Sequence, residues 1–243
     1  MRAGGKPFSL VHYVAVASCF AVNHPRRIYL YYSDEPSGYW WEKAKPFLTP
    51  IRVSPALSVF GHSLLRAEHV ADVLRLQILI ECGGVYLDLD VISIRPFAPL
   101  MEFDTVMGEE YGVGLCNAVI LARSGSLFLR RWLDTYRSFD SREWNMHSVR
   151  VPFLLSQQAP NTVNVVDHKS FFWPMYWSEH LAAFFRKRGS EFCTRSFCVH
   201  LWQSLAWSYL EHVTEDQILT TDTEFCSLMR PYLERGQNDQ LQL

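Results

Sequence analysis

Apolar positions recur along this chain with two different spacings, which predict alternating helices and strands. Spacings of three and four residues predict helices at Ser9–Val22, Gly38–Leu48, Ala67–Cys82, Ser126–Phe139, Val151–Gln158 and Asp222–Leu233. Continuous or alternating runs rich in β-branched and aromatic residues predict strands at Arg27–Ser33, Pro50–Ser54, Val85–Val91, Thr105–Gly108, Cys116–Ala122, Thr162–Val166 and Phe197–Leu201. Strands that alternate with helices favour an α/β fold with a single mixed, mostly parallel sheet flanked by helices. We expect one domain over residues 1–235 and a frayed polar tail over 236–243.

The stretch Ala67–Val91 combines an amphipathic helix, a glycine pair and an apolar strand that carries two aspartates. Side chains two positions apart share one face of a strand, so Asp88 and Asp90 are expected on the face of Tyr86. Their carboxylates would then lie about 7 Å apart along the strand. The other face carries only apolar side chains and is expected in the core: Val85, Leu87, Leu89 and Val91.

Two carboxylates in an otherwise buried strand predict a cation site. Ionised carboxylates this close repel each other unless a cation or a proton lies between them. Burying them without a partner would cost several kcal/mol, and the nearest basic residue, Arg95, lies beyond the strand. Oxygen ligands favour a hard divalent ion, so Asp88 and Asp90 are candidate ligands for Mg²⁺ or Mn²⁺.

Other polar residues have two interpretations each when they are judged by spacing alone. Asp72 and Arg75 lie three apart on one helix face, which suits a simple ion pair as well as a pair that binds ribose and phosphate. His200 follows an apolar strand, where a histidine is more often structural than a ligand. The pair Glu109–Glu110 is interpreted as solvated.

Composition and charge narrow the class of protein. Hydrophobic residues make up 49% and charged residues 20% of the 243 residues, which is typical of a globular chain. A net charge of −2 gives no indication of nucleic-acid binding. No apolar run reaches 18 residues, so no transmembrane segment is expected in this chain. The compartment stays open: cytoplasmic or membrane-peripheral in a bacterium, Golgi-lumenal if the chain is part of a longer eukaryotic protein.

The central block resembles a known signature. The pattern His69-x-x-Asp72-x-x-Arg75 followed by Gly83-Gly84-Val85-Tyr86-Leu87-Asp88-x-Asp90 is similar to that of glycosyltransferase family 32. These DXD-containing sugar transferases include fungal α-mannosyltransferases and bacterial polysaccharide sugar transferases. Softer similarity extends over most of the chain, including Cys116–Val119, Trp144–Ser148 and His200–Ser204.

This resemblance implies a GT-A-type nucleotide-sugar-binding fold and a role for each matching residue. Asp88 and Asp90 would be the catalytic pair and would hold Mn²⁺ or Mg²⁺ with His200 as a third ligand. The donor, a UDP- or GDP-sugar, would be bound by Asp72, Arg75, Tyr86, Asn117, Trp202 and Ser204. The sugar or acceptor pocket would include Asn145 and His147. The implied reaction is transfer to a glycan, lipid or protein acceptor with retention of configuration.

One departure from the family pattern concerns the beginning of the chain. Family members usually open with a strand that contains Pro-Lys-x-Ile-His and forms part of the nucleotide-base site. This chain instead leads from Met1–Gly5 directly into a predicted helix. We therefore expect either that the first strand is lacking or that the base site is incomplete.

Two alternative functions remain open at this point. The stretch Val85–Ile92 also resembles the first motif of haloacid-dehalogenase-type phosphatases, in which Asp88 would be the nucleophile and Asp90 the general acid. Those enzymes need a later acidic pair and a phosphate-binding lysine, and Lys169 and Lys187 stand in unconvincing contexts. The second alternative is a non-catalytic protein that binds sugar nucleotides or glycans.

Overall fold

The structure, a computed structural model, describes residues 7–189 and 195–238. The helices predicted from sequence are all present in it, with small shifts of their ends and with additional short helices between them. The α-helices are α1 Leu10–Asn23, α2 Tyr39–Ala44, α3 Ala67–Cys82, α4 Leu127–Asp134, α5 Val151–Gln158, α6 His168–Phe171, α7 Ser178–Arg186, α8 Trp207–Leu210, α9 Glu215–Thr220 and α10 Glu224–Asn238. Among these helices of the described chain, none is both long and apolar enough to cross a bilayer.

The strands also follow the predicted positions, with one exception at the aspartates. They are β1 Tyr29–Tyr32, β2 Thr49–Arg52, β3 Ser58–Val59, β4 His62–Ser63, β5 Gly84–Leu87, β6 Val91–Ser93, β7 Thr105–Glu110, β8 Gly114–Ala122, β9 Asn164–Val166 and β10 Cys198–His200. The small hairpin of β3 and β4 lies between the predicted strand Pro50–Ser54 and the predicted helix Ala67–Cys82.

The α/β class is confirmed, but the prediction of one mostly parallel sheet is wrong. The largest sheet of the described residues has the order β5-β8-β7-β9, with β8 antiparallel to both neighbours and only β7 and β9 parallel. A second parallel pair joins β1 and β2, and β6 pairs antiparallel with β10. Sequence periodicity reports which faces of a strand are buried and carries no information on strand direction, so the error has a simple origin.

Strand β8 separates two hydrophobic cores. All nine of its residues are buried. From Val119 to Ala122 successive side chains enter opposite cores: Val119 and Leu121 the larger one, Ile120 and Ala122 the smaller one. The larger core includes side chains of α1, β6, α7 and α10, and the smaller one side chains of α3 and α4. Burial on both faces explains why β8 appears in the sequence as a continuous apolar run.

The strand that carries the two aspartates is interrupted, which corrects the sequence interpretation. Strand β5 ends at Leu87, a turn follows, and β6 begins at Val91. The proposed strand face and the 7 Å separation therefore do not apply. The apolar face also differs in part, because Val85 is exposed while Val91 is buried.

The structure does not test the predicted boundary between one domain and a C-terminal tail. Helix α10 runs to Asn238, and residues 239–243 of the predicted tail 236–243 lie outside the described residues. The division into one domain and a tail stays a prediction.

Candidate metal and nucleotide-sugar site

The site is organised by the turn from Asp88 to Val91. The Asp88 N–H donates to the carbonyl of Ala118 in β8 at 2.9 Å, which fixes the point where β5 ends. The Val91 N–H then donates to the Asp88 carbonyl at 3.1 Å and closes a four-residue turn. Because the chain turns between them, Asp88 and Asp90 both present their carboxylates at the same end of β5.

The third candidate ligand, His200, lies more than a hundred positions downstream in the sequence. Strand β10 pairs antiparallel with β6, and this register sets His200 opposite Val91, next to Asp90. One ligand atom each from Asp88, Asp90 and His200 lies within 4.8 Å of the other two. The structure thus brings together the three residues that the resemblance implied as metal ligands.

Asp90 is held by two donors that converge on one carboxylate oxygen. Its Oδ2 lies 3.3 Å from Nε2 of His200 and accepts a 2.8 Å hydrogen bond from the Gln203 N–H. Burial by itself raises the pKa of Asp90, but the His200 charge, its hydrogen bond and the Gln203 N–H outweigh burial and lower the pKa. Conversely, burial lowers the pKa of His200, and Asp90 together with the Cys116 thiol outweighs burial and raises that pKa well above its usual value.

Asp88 is held by different groups. Its Oδ1 accepts a 2.5 Å hydrogen bond from the Tyr86 hydroxyl and lies 3.4 Å from Nη1 of Arg75. The Arg75 guanidinium also stacks over the Tyr86 ring, 4.5 Å from its centroid. Both donors approach the same oxygen, and no hydrogen bond within the described part of the chain is made to the other one. That second carboxylate oxygen is therefore free to accept a ligand.

Arg75 links Asp88 to a second buried aspartate on α3. Its Nη2 lies 3.1 Å from Oδ1 of Asp72, and its Nη1 donates to the Asn117 carbonyl at 2.7 Å. The Asn117 side-chain amide completes the group by donating to the same Asp72 oxygen at 2.7 Å. Burial raises the pKa of Asp72, with Arg75 and Asn117 acting against that rise. All five predicted members on this side of the site thus form one network of hydrogen bonds and ion pairs around Arg75: Asp72, Arg75, Tyr86, Asn117 and Asp88.

Trp202 and Ser204 lie in the turn after β10. The Trp202 indole N–H donates to the Pro174 carbonyl at 2.8 Å, and its ring centroid is 4.2 Å from that of His200. Trp202 has a φ of 54°, an uncommon value for a bulky residue that costs about 1–3 kcal/mol and is found mainly near functional sites. Ser204 is exposed in the same turn.

Asn145 and His147 belong to a different segment from the metal-ligand candidates. They belong to the start of a short π-helical segment, Met146–Arg150, where the Asn145 carbonyl accepts from Val149 and Arg150. The His147 ring is buried against Tyr136 and Phe139, and its Nε2 bonds the Thr135 carbonyl at 3.2 Å. No hydrogen bond or ion pair in residues 7–189 and 195–238 joins either residue to the three ligand candidates, so their role in a sugar or acceptor pocket stays a prediction.

Sequence reasoning missed Glu110, which is only 8% exposed. Burial raises the pKa of its carboxyl, and the nearby His200 and Cys116 act in the opposite direction. Its interpretation as half of a solvated pair is therefore wrong. Strand alternation offered a signal: Glu110 lies four residues after Val106 and shares its face, which enters the larger core.

The three convergent side chains fit a divalent cation. Two carboxylates and one imidazole are common donors to such ions. Nε2 of His200 faces Asp90, with a proton between them when the pair is ionised. Neutral histidine binds metal through this kind of nitrogen, so a cation would take the place of that proton.

Comparison with known proteins supports the interpretation of this geometry. Residues 17–110 match the family described as a glycosyltransferase sugar-binding region containing a DXD motif. The match contains Asp72, Arg75, Asp88 and Asp90, whose contacts are given above. Residues 17–110 thus resemble the sugar-binding region of DXD glycosyltransferases. Membership of family 32 in particular stays a prediction.

The similarity to individual proteins extends beyond residues 17–110 to nearly the whole chain. The chain is 33% identical over 240 residues to glucan organizing enzyme 1 of Cryptococcus neoformans var. grubii serotype A, covering 94% of this chain and 66% of that protein. It thus spans slightly less than two thirds of that relative. The DXD region and the rest of the fold also resemble the glycosyltransferase GlyE of Streptococcus pneumoniae TIGR4, with 13% identity, a TM-score of 0.54 and coverage of 97% of this chain and 61% of GlyE. The apo form of GlyE gives a TM-score of 0.53. These similarities show a glycosyltransferase fold of the GT-A-like kind.

Proposed function

We propose that this protein is a divalent-metal-dependent glycosyltransferase that moves a sugar from a UDP- or GDP-sugar to a glycan, lipid or protein acceptor. The observation that carries the proposal is the convergence of Asp88, Asp90 and His200 within 4.8 Å inside a fold of the glycosyltransferase kind. The name of the fungal relative, a glucan organizing enzyme, favours a polysaccharide among the acceptors.

Mn²⁺ or Mg²⁺ would be held by Asp88, Asp90 and His200. Such an ion neutralises the charge that develops on a leaving nucleoside diphosphate. The protein's own contribution is to orient the ligands. Tyr86 and Arg75 fix one oxygen of Asp88, and the Gln203 N–H fixes one oxygen of Asp90. Preformed orientation of this kind avoids reorganisation during the reaction.

Donor recognition is assigned to the side chains around these ligands. Their proximity to Asp88 and His200 supports donor contacts from Asp72, Arg75, Tyr86, Asn117, Trp202 and Ser204. Arg75 already uses most of its N–H groups on Ala71, Asp72, Asp88 and Asn117. Its main contribution in the proposal is therefore to hold Asp88 and Asp72 in place.

The experiment that tests the proposal is a screen of the purified chain against a panel of nucleotide sugars, with free nucleotide as the readout. We expect nucleotide release that requires Mn²⁺ or Mg²⁺, is lost with a chelator and is lost in Asp90→Ala. Nuclear magnetic resonance of the product sugar tests the proposed retention of anomeric configuration.

The same screen separates the two alternatives. Release of inorganic phosphate from phosphomonoesters would contradict the transferase proposal and favour a phosphatase. Metal-dependent donor binding without turnover would instead favour a non-catalytic binding protein.

A further inference from the structure

His12, in the first turn of α1, forms an unusual helix cap. The Ser9 hydroxyl accepts from the His12 N–H at 3.2 Å, and Nδ1 of His12 accepts from the Ser9 N–H at 3.2 Å. This reciprocal pair is a capping box, in which glutamate or glutamine ordinarily holds the position taken here by His12. A histidine in that position keeps its second ring nitrogen available for another contact.

The cap fixes which nitrogen of His12 carries the proton. A neutral imidazole has one donor nitrogen and one acceptor nitrogen, and Nδ1 is the acceptor because Ser9 donates to it. Nε2 must therefore be the donor, and it lies 3.2 Å from Oε1 of Gln203. Burial lowers the pKa of His12, against smaller opposing effects of Gln203 and Asp90, and so favours the neutral ring.

Gln203 continues this chain of contacts to the metal ligands. Its backbone N–H donates to Oδ2 of Asp90 at 2.8 Å, the same oxygen that faces His200. The backbone of Asp90 is tied to the same turn, because its carbonyl accepts from the Leu201 N–H at 2.9 Å. A continuous series of hydrogen bonds thus runs from the cap of α1, through Gln203, to one ligand oxygen.

We propose that His12 is a positioning residue of the metal site, which holds the Gln203 turn so that the Gln203 N–H orients the Asp90 carboxylate. The inference rests on the metal dependence of the proposed function. His12 and Gln203 both lie outside the matched region 17–110. The turn includes Trp202 at a φ of 54°, so it occupies a conformation that the chain does not favour by itself. A hydrogen bond from a neighbouring helix supplies the restraint that such a turn needs.

The test separates the cap of α1 from the contact with Gln203. In His12→Gln the new side chain can cap Ser9, since glutamine suits this position, but it then offers no fixed donor to Gln203. In Ser9→Ala the hydroxyl is lost, while the Ser9 N–H and the contact from His12 to Gln203 remain. Gln203→Met removes the acceptor and keeps the backbone N–H that Asp90 uses.

The measurement is the dissociation constant of Mn²⁺ alone for the whole purified chain, by electron paramagnetic resonance, together with Tm. We expect His12→Gln and Gln203→Met each to weaken Mn²⁺ binding about tenfold, the lower end of the effect of groups that orient a metal ligand. The double variant should be no weaker than either single one, because both changes break one contact. Ser9→Ala should lower Tm and leave Mn²⁺ affinity unchanged.

The outcomes distinguish this inference from the proposed function. Wild-type affinity in His12→Gln and Gln203→Met overturns the positioning role and leaves the metal site intact. Equal weakening in Ser9→Ala also overturns it, because a loss of helix stability would then explain the effect. If the wild type binds Mn²⁺ no better than Asp90→Asn, the metal dependence of the proposed function itself fails.

Discussion

Asp72 and Asp90 are buried to the same degree, each 8% exposed, yet they are stabilised in opposite ways. Asp72 lies on a helix and is paired with Arg75, whose charge is permanent, and with the amide of Asn117. Asp90 lies in a turn and is paired with His200, which can lose its proton, and with a backbone N–H. The first carboxylate has partners that cannot leave. The second has a partner whose proton a metal ion can replace.

This difference indicates a division of labour between two neighbouring networks. The Asp72 network is fixed, and it holds Asp88 through Arg75. The Asp90 network is exchangeable, since a neutral histidine is a metal ligand and a protonated one is an ion-pair partner. The fixed network should therefore contribute mostly to stability and the exchangeable one mostly to function. Five changes test this contrast.

The largest expected effect is on stability, from Arg75→Met. This variant leaves Asp72 buried without its cation, and such a loss costs about 3–5 kcal/mol. Chemical denaturation should show the change as a lower midpoint at unchanged slope. The variant Arg137→Met is a matched control, because Arg137 pairs with Asp134 at 2.6 Å on the exposed surface, where ion pairs contribute about 0–1 kcal/mol.

A second change asks whether the buried charge of Asp72 causes that loss. Adding Asp72→Asn to Arg75→Met removes both charges and should restore part of the lost stability. If the double variant is less stable than Arg75→Met alone, the network is not governed by the uncompensated carboxylate.

Asp90→Asn should affect activity strongly and stability much less. Loss of a charged metal ligand should reduce metal-dependent nucleotide release by about a hundredfold or more, a change of about 2.7 kcal/mol. The remaining His200 can release its proton and become neutral, so no uncompensated charge stays buried. Asp140→Asn, a change at an exposed ion pair with Arg142, is the control for activity. If Asp90→Asn lost as much stability as Arg75→Met, there would be no contrast between the two networks.

The sequence predicted the fixed network better than the exchangeable one. Helix α3 carries Asp72 and Arg75 three residues apart, and this local spacing already predicts their contact. The turn that brings Asp88 and Asp90 together depends on the hydrogen bond from Asp88 to Ala118. The position of His200 depends on the register between β6 and β10, which are far apart in the sequence. Only the family resemblance indicated His200.

Three further features of the site had no usable local signal or were misread. His12 and Gln203 are 191 positions apart, and nothing in the sequence around either residue indicates the other. Strand directions were missed because burial patterns do not encode them. Glu110 was misread because two adjacent glutamates were treated alike, although neighbouring residues of a strand face opposite sides.

A smaller effect is expected from Tyr86→Phe, at the point where the two networks meet. The change removes one donor to Oδ1 of Asp88 and leaves the Arg75 contact at 3.4 Å. Because Asp88 is partly exposed, the loss should be about 1 kcal/mol, or about a fivefold weaker Mn²⁺ affinity. Tyr29→Phe, at the exposed first residue of β1, is the matched control. An unchanged affinity would show that Arg75 alone orients Asp88.

The smallest expected effect is a difference in pH dependence. Burial lowers the pKa of His12 in the folded protein, so the unfolded chain binds more protons between that lowered pKa and about 6.5. The contribution of His12 to stability is therefore complete above pH 6.5 and is lost as the pH falls through the window below it. Denaturation of wild type and of His12→Gln across this range isolates the contribution, since all other groups are shared. The wild type should lose more stability than the variant on acidification. Parallel curves for wild type and His12→Gln would show that folding does not favour the neutral ring of His12.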